Sequence, residues 1–278
     1  MKKVSKNVWS YWTNNWADNY GKTEIDWKTT VGIGDSMYGL NIAHMRAFVN
    51  QKPTTLNLHY FHSKDFSYHY EDPETVFERN QYVMDRYMWK DIVHINHIFD
   101  SQDTLLWKER YRNVTRIKDS DMYRYWSFDP TYYTDSKYNK IVIWTPVQNN
   151  EQQIKSFKLP MLDKEWQRLI FLLKEFGYEI VELTYRTPIS EVFYHIKTCE
   201  VILSYEGMWH YIAKNLFKPH IVFSNSNITK WHTPAAIQIN SNKFFIDSDL
   251  KKIDYYIEAA TEKAYNYKRM FNLFIHGW

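Results

Sequence analysis

Short apolar, β-branched runs alternate with helical patterns along the second half of the chain, and this alternation restricts the fold more than any other feature. The runs are IVIWT at 141–145, EVILS at 200–204 and PHIVF at 219–223. Alternating strands and helices predict a parallel sheet covered by helices. The expected strands are 141–145, 178–183, 200–204 and 219–223, and the expected helices are 163–176 with Gly177 as the stop, 188–198, 206–217 and about 247–274.

The first half of the chain repeats the alternation less regularly. The segment 31–35, VGIGD, predicts a tight glycine turn before a helix that Pro53 stops. No strong apolar strand is expected before it, although a strand near 8–12 is predicted. The next expected elements are a strand at 55–61, a helix at 72–88 with Pro73 in its first turn, and a strand at 91–99.

Residues 100–139 interrupt this rhythm and are expected to form a loop or a helical insertion. Repeated βα units on both sides of an irregular middle predict an α/β protein with two doubly wound, Rossmann-like domains and a cleft between them. The expected domains are 1–139 and 140–278, and the last helix is a candidate for packing back on the N-terminal domain.

Composition excludes several classes of protein. The 278 residues contain one cysteine, Cys199, which excludes an internal disulfide framework and any multi-cysteine metal site. No apolar run approaches the ~18 residues of a spanning helix. The first residues lack the apolar core of a signal peptide. We therefore expect a soluble, cytoplasmic protein, and its net charge of +3 permits a polyanionic partner without requiring one.

Two loop–helix junctions contain residues suited to binding and catalysis. Gly34 and Asp35 stand at the mouth of a helix, where a carboxylate could act as a general base toward a hydroxyl group. The alternative is that Asp35 only caps the helix. In the second half, Glu206, Gly207 and Met208 follow a buried strand.

That second junction would suit a phosphorylated ligand. The N–H groups of Gly207 and Met208 at a helix start would attract a phosphate, and His210 could reach the same group. Glu206 could accept hydrogen bonds from sugar hydroxyls. Lys158, in the segment FKLP, could neutralise a leaving diphosphate. The alternatives are a capped helix with a hydrogen-bonded histidine and a solvated lysine.

The order of these segments resembles the lipopolysaccharide heptosyltransferase family of glycosyltransferases. The family has a glycine–Asp turn near its start, a loop with a Lys-x-Trp-Pro-like motif, and a segment of the type S-x-D-S/T-G-x-x-H-x-A-x-x-L-x-x-P before a strand. The resemblance covers about residues 140–224 and, more thinly, 31–48. The residues at matching spacings in the last motif are Gly207, His210, Ala213, Leu216 and Pro219.

The resemblance implies a GT-B architecture, with a nucleotide sugar in the C-terminal domain and the acceptor in the N-terminal domain. By this carry-over Asp35 is the catalytic base, Lys158 and the Gly207 helix start hold the diphosphate, and Glu206 holds the sugar or ribose. No metal and no other cofactor are expected, because a lysine and protein dipoles can take the role of a cation.

A basic and aromatic segment at 107–126 bears on the acceptor. Basic residues neutralise phosphates and aromatic rings stack on bases, so the segment could bind a nucleic acid. The alternative is a solvated face whose aromatic rings pack against the domain. A phage-type DNA glycosyltransferase shares the GT-B architecture and acts on a hydroxymethylated pyrimidine, such as 5-hydroxymethylcytosine, in double-stranded DNA. The acceptor-side candidates are Gly34, Trp107, Arg110, Tyr111, Arg112 and Arg116.

The function expected from the sequence is therefore a nucleotide-sugar-dependent glycosyltransferase acting on an anionic acceptor. DNA is favoured as the acceptor, and a lipopolysaccharide or other saccharide is the alternative. A phage-encoded enzyme would work in the host cytoplasm. A non-catalytic nucleic-acid or nucleotide-binding module, and a sugar-nucleotide epimerase, are the alternatives of other classes.

Overall fold

The computed structural model describes residues 23–30, 33–61, 73–100, 139–144, 163–184, 187–205, 208–224, 236–240, 244 and 249–276. The chain divides into two compact units, one formed by Met1–Asp129 with Met270–Trp278 and the other by Pro130–Arg269. Each unit contains a parallel sheet, so the prediction of an α/β protein with two parallel sheets is confirmed. No helix in the described part of the chain combines the length and apolar character that crossing a membrane requires.

The N-terminal unit contains a three-stranded sheet in the order β1-β2-β3, with all strands parallel. Helix α1 contacts all three strands and is buried along most of its length, from Ser36 to Phe48. The strand predicted at 55–61 and the helix predicted at 72–88 are confirmed to within one residue. The described elements are β1 (Glu24–Thr30), α1 (Ile33–Asn50), β2 (Thr54–Phe61), α2 (Pro73–Tyr87) and β3 (Val93–Asp100).

The strand β1, which ends at Thr30, was not predicted, although the expectation that no strong apolar strand precedes residue 31 agrees with its sequence. This edge strand buries only alternate side chains, Ile25 and Trp27, so it lacks the continuous apolar run typical of buried parallel strands. Its other face is polar, and the Asn57 amide donates hydrogen bonds to carboxylates of that face at 2.8 and 2.9 Å. The strand predicted near 8–12 lies outside the described residues.

The start of α1 also differs from the prediction. The segment 31–35 was expected to turn before the helix, but α1 begins at Ile33. Gly34 and Asp35 therefore lie within the first helical turn. The reason is the short connection, since only two residues separate the end of β1 from the start of α1.

At Gly39 the helix α1 packs closely against Trp27 of β1. A methyl group at this position would lie 2.6, 2.7 and 2.9 Å from Cδ1, Cγ and Nε1 of Trp27. The indole is buried and belongs to the neighbouring strand, so it could not move aside without shifting the packing between the two elements.

We expect Gly39→Ala to lower the free energy of unfolding by about 1–3 kcal/mol, because the overpacked methyl group displaces the indole. This loss outweighs the ~1 kcal/mol that alanine gains over glycine in a helix. Denaturant unfolding measures the change, and Trp27→Leu in the same chain should recover part of it. A Gly39→Ala protein as stable as the wild type would contradict the close packing.

The C-terminal unit contains a five-stranded parallel sheet in the order β5-β4-β6-β7-β8. The four strands predicted in this half are confirmed, whereas β8 was not predicted. The described elements are β4 (Lys140–Trp144), α3 (Asp163–Glu175), β5 (Glu179–Leu183), α4 (Ile189–Thr198), β6 (Val201–Tyr205), α5 (Trp209–Asn215), β7 (His220–Ser224), β8 (Ala236–Asn240), a 3-10 helix (Asp249–Lys252) and α6 (Ile253–His276), whose residues from Met270 onward belong to the N-terminal unit.

Gly177 ends α3 as predicted. Its φ of 87° lies in the left-handed region that glycine adopts without strain. The Gly177 N–H donates to the Lys174 carbonyl at 2.9 Å and the Tyr178 N–H to the Leu173 carbonyl at 3.1 Å, which satisfies the last carbonyls of the helix.

Two buried lysines fix the amino-terminal edge of the five-stranded sheet. Lys140 Nζ lies 3.0 Å from Nδ1 of His195 and donates to the Thr198 hydroxyl at 2.8 Å. Lys218 Nζ donates to the Cys199 carbonyl at 2.8 Å. These hydrogen bonds join the chain at the starts of β4, β6 and β7.

Candidate functional site

The carboxyl edge of the five-stranded sheet has the topology of a ligand-binding site. The first strand of the unit, β4, lies between β5 and β6, so the order of strands reverses beside it. In open α/β sheets ligands bind outside the carboxyl ends of the strands at such a switch point. Ile143 pairs with Leu203 here, which brings the ends of β4 and β6 together at Trp144 and Tyr205.

Three aromatic side chains, which we call the aromatic cluster, meet at this switch point: Trp144, Tyr205 and Trp209. The Trp144 indole N–H donates to the Tyr205 hydroxyl at 2.8 Å. The rings of Trp144 and Trp209 have centroids 4.5 Å apart at an angle of 49°. All three side chains are buried, and burial raises the pKa of Tyr205, so its hydroxyl stays protonated. The cluster packs the carboxyl ends of β4 and β6 and the start of α5 together.

A buried polar pair fixes the end of β6 against β7. The Ser204 hydroxyl donates to the Tyr205 carbonyl at 2.8 Å and lies 2.8 Å from Nε2 of His220. With the hydroxyl proton used by the carbonyl, His220 Nε2 carries the hydrogen of the second bond. These two hydrogen bonds fix the backbone at the end of β6.

We expect Tyr205→Phe to cost about 1–3 kcal/mol of unfolding free energy, because the buried Trp144 N–H would lose its acceptor. The double variant Trp144→Phe with Tyr205→Phe should cost less than the sum of the two single variants. Denaturant unfolding of the four proteins tests this. Tyr255→Phe, at an exposed tyrosine, is the matched control and should stay within about 0.5 kcal/mol; strict additivity would contradict the coupling.

The candidate donor-binding residues are described only in part. Met208 directly precedes α5, with φ −55° and ψ −23°, and no side chain caps the helix there. His210 is the second residue of α5, so its backbone lies one residue beyond Trp209 of the aromatic cluster. Lys158, Glu206 and Gly207 lie outside the described residues.

The candidate base belongs to the N-terminal unit. Asp35 is the third residue of α1, directly after the end of β1, so its backbone lies at the carboxyl edge of the three-stranded sheet, and Gly34 precedes it there. The remaining acceptor-side candidates lie outside the described residues: Trp107, Arg110, Tyr111, Arg112 and Arg116.

A hydrogen-bonded chain of buried side chains supports the first turn of α1. The hydroxyl of Ser36, which follows Asp35, donates to Asn80 Oδ1 of α2 at 3.0 Å. Tyr60 of β2 interacts with Ser36 at this position, and burial raises the pKa of its hydroxyl. These contacts bind the helix start to both α2 and β2.

The chain continues from Tyr60 to the protein surface. The Tyr60 hydroxyl lies 3.0 Å from Nδ1 of His97, and Nε2 of His97 lies 2.9 Å from Oδ1 of Asp85. Since a carboxylate only accepts, His97 donates to Asp85 through Nε2. Its Nδ1 atom is then the partner of the Tyr60 hydroxyl. These hydrogen bonds link β2, β3 and α2, from Tyr60 through His97 to the exposed Asp85.

Sequence reasoning missed both the aromatic cluster and this network. Trp144 and Tyr205 each close an apolar run, so a signal existed, but only the strand order makes them neighbours. The network joins α1, α2, β2 and β3 across 36–97, and no local pattern connects its members. Within the described residues, no three His, Cys, Asp or Glu side chains gather as a metal-binding group. The chain matches no protein-family model and no curated protein sequence.

Proposed function

We propose that this protein is a GT-B glycosyltransferase that moves a sugar from a nucleotide-diphosphate sugar to a hydroxyl group of an anionic acceptor. One observation carries the proposal. The two segments that resemble donor-binding motifs, FKLP and YEGMWH, follow β4 and β6, which are the neighbouring strands on either side of the switch point. A ligand at that position would meet both segments at once.

The donor would bind in the C-terminal unit. The aromatic cluster packs together the ends of β4 and β6, the strands after which the two segments follow in sequence, and Lys158 would neutralise the diphosphate. The N–H groups of Gly207 and Met208, with His210, would bind the same phosphates, and Glu206 would accept hydrogen bonds from sugar or ribose hydroxyls.

The reaction is a displacement at the anomeric carbon. Asp35 takes the proton of the acceptor hydroxyl, and the oxygen forms a bond to that carbon. The bond between the carbon and the diphosphate oxygen breaks, and its electron pair leaves with the nucleoside diphosphate. The network from Asp85 through His97 and Tyr60 to Ser36 would hold the turn of Asp35 during this step.

We propose a hydroxymethylated pyrimidine in double-stranded DNA as the acceptor. The segment 107–126 supports this choice, because it combines six basic residues with five aromatic ones. Basic residues bind the backbone, and aromatic rings stabilise a base taken out of the duplex.

Mass spectrometry of nucleosides tests the proposal. The purified protein is incubated with a panel of nucleotide sugars, with and without duplex DNA that contains 5-hydroxymethylcytosine. A gain of one sugar mass on that nucleoside is the expected result. If the protein bound a donor but no sugar were added to DNA, the proposed acceptor would change from DNA to a saccharide. If there were neither donor binding nor transfer, the glycosyltransferase proposal would be overturned.

Asp35→Asn is expected to keep donor binding and lose transfer in the same assay, because an amide cannot take the proton. Asp91→Asn is the matched control, since Asp91 is exposed in the turn before β3. Circular dichroism of both variants checks their folding. Full turnover by a folded Asp35→Asn protein would remove Asp35 from the role of base.

A further inference from the structure

A cavity of about 540 Å³ lies on the outer face of α3, where the 3-10 helix packs beside it. We call it the basic pocket. Its volume falls within the range of small-molecule sites, and the pocket is open to solvent along much of its surface. The basic residues that line it are Lys164, Arg168 and Lys251, and the others are Gln167, Phe171, Leu172 and Leu250.

The basic pocket is separate from the switch point. Trp166, Leu169 and Leu173 form the buried face of α3, whereas Lys164 and Arg168 project from the exposed face. Both elements of the pocket belong to the C-terminal unit. Its occupant would therefore bind at a second position, and the inference does not depend on the proposed transferase activity.

The charges around the pocket are of one sign. Lys164, Arg168 and Lys251 come from two elements and line one space, and among the described residues no acidic side chain lines it. None of the three forms an ion pair or a side-chain hydrogen bond among the residues that the structure describes. Lys164 and Arg168 are also four residues apart on one helix, where like charges destabilise. An anion with two negative charges would relieve this repulsion.

The apolar residues that line the pocket indicate which other group the ligand would carry. The Phe171 side chain is 65% exposed, which is unusual for so large an apolar group, and it lies beside the buried Leu250. A free aromatic face next to cations suits a ligand with a flat ring and an attached anionic group. Arg168 can bind a phosphate with two parallel hydrogen bonds, and the lysines contribute charge.

We infer that the basic pocket is a binding site for an organic phosphate with a flat aromatic body. The phosphate lies among Lys164, Arg168 and Lys251, and the ring packs on Phe171. The site requires both parts of the ligand together, because the cations and the apolar residues line one cavity.

Fluorescence titration with 1-naphthyl phosphate tests the inference, with 1-naphthol and inorganic phosphate as its separate halves. We expect the whole compound to bind at least about tenfold more tightly than either half. Arg168→Gln and Phe171→Ser, both at exposed positions, should each weaken binding by about tenfold. Lys174→Gln is the matched control, because Lys174 lies on the same helix, is exposed and does not line the pocket.

Two results would overturn the inference. Naphthyl phosphate binding that Arg168→Gln leaves unchanged would assign the compound to another site. If inorganic phosphate bound as tightly as 1-naphthyl phosphate, the aromatic ring would make no contribution to binding, which would contradict the inferred ligand. Sugar transfer in the mass-spectrometric assay is read separately, so its presence or absence does not decide this site.

Discussion

The protein is expected to lose about 1.4 kcal/mol of unfolding free energy per pH unit below 6.5 because of His44 alone. This histidine lies in the middle of α1 with 1% of its side chain exposed, and burial lowers its pKa from 6.5 to about 3. Its Nε2 accepts the backbone N–H of Trp89 at 2.9 Å, so the ring is neutral and uses its lone pair. Protonation would break this bond and bury a charge.

The direction follows from which state binds the proton. Between pH 6.5 and 3 the unfolded chain protonates His44 and the folded protein does not, so stability falls as the pH falls through this range. Above pH 6.5 this contribution is fully present. At pH 4.5 the loss from His44 should reach about 3 kcal/mol.

His44→Gln is the variant that isolates this effect. Glutamine keeps an acceptor for the Trp89 N–H and does not titrate. Denaturant unfolding at pH 7, 5.5 and 4.5 gives the difference between wild type and variant, in which the contributions of the carboxylates cancel. The difference should shift by about 3 kcal/mol in favour of the variant between pH 7 and 4.5. A difference that stays constant with pH would contradict a neutral, buried His44.

Lys214 should produce a second large effect at alkaline pH. It lies in α5 with 1% exposure, and burial lowers its pKa from 10.5 to about 7. Between these values the unfolded chain keeps the proton and the folded protein has lost it. Stability from this group therefore rises as the pH rises from 7 towards 10.5, by about 4 kcal/mol between pH 7 and 10.

Lys214→Met removes the titrating amine and keeps most of the apolar side chain. We expect the variant to lose the alkaline gain of the wild type, which denaturant unfolding at pH 7, 8.5 and 10 would show. Lys174→Met removes a charge at an exposed position and is the matched control. Parallel pH profiles for wild type and Lys214→Met would show that the folded protein keeps Lys214 charged.

Local patterns predicted most of the elements but not all of their boundaries. The run at 141–145, the helix that ends at Gly177 and the strand at 200–204 all lie where apolar runs and glycine indicate. The strand β1 was not predicted, because an edge strand buries one face only and Ile25 and Trp27 therefore alternate with polar residues. The strand β8 was not predicted for a related reason, since Ala236 and Ile239 are buried but the residues between them are only half-buried.

The candidate site was predicted as separate segments. Gly34 and Asp35, and Met208 and His210, were selected from their positions next to strands, and the structure describes their backbones at the starts of α1 and α5. Their surroundings were not predicted. Trp144 meets Tyr205, and His97 meets Tyr60, through strand pairing that joins residues 61 and 37 positions apart.

The sequence by itself determined that this chain alternates strands and helices, and therefore that its sheets are parallel, because periodicity and turn residues act over a few neighbours. The tertiary structure alone decided that β4 lies between β5 and β6, which creates the switch point and the aromatic cluster. It also decided that Lys164, Arg168 and Lys251 line one cavity. Strand order has no local signal, because a strand–helix–strand unit can add its next strand on either side of the first. That choice depends on which faces and edges the rest of the chain buries.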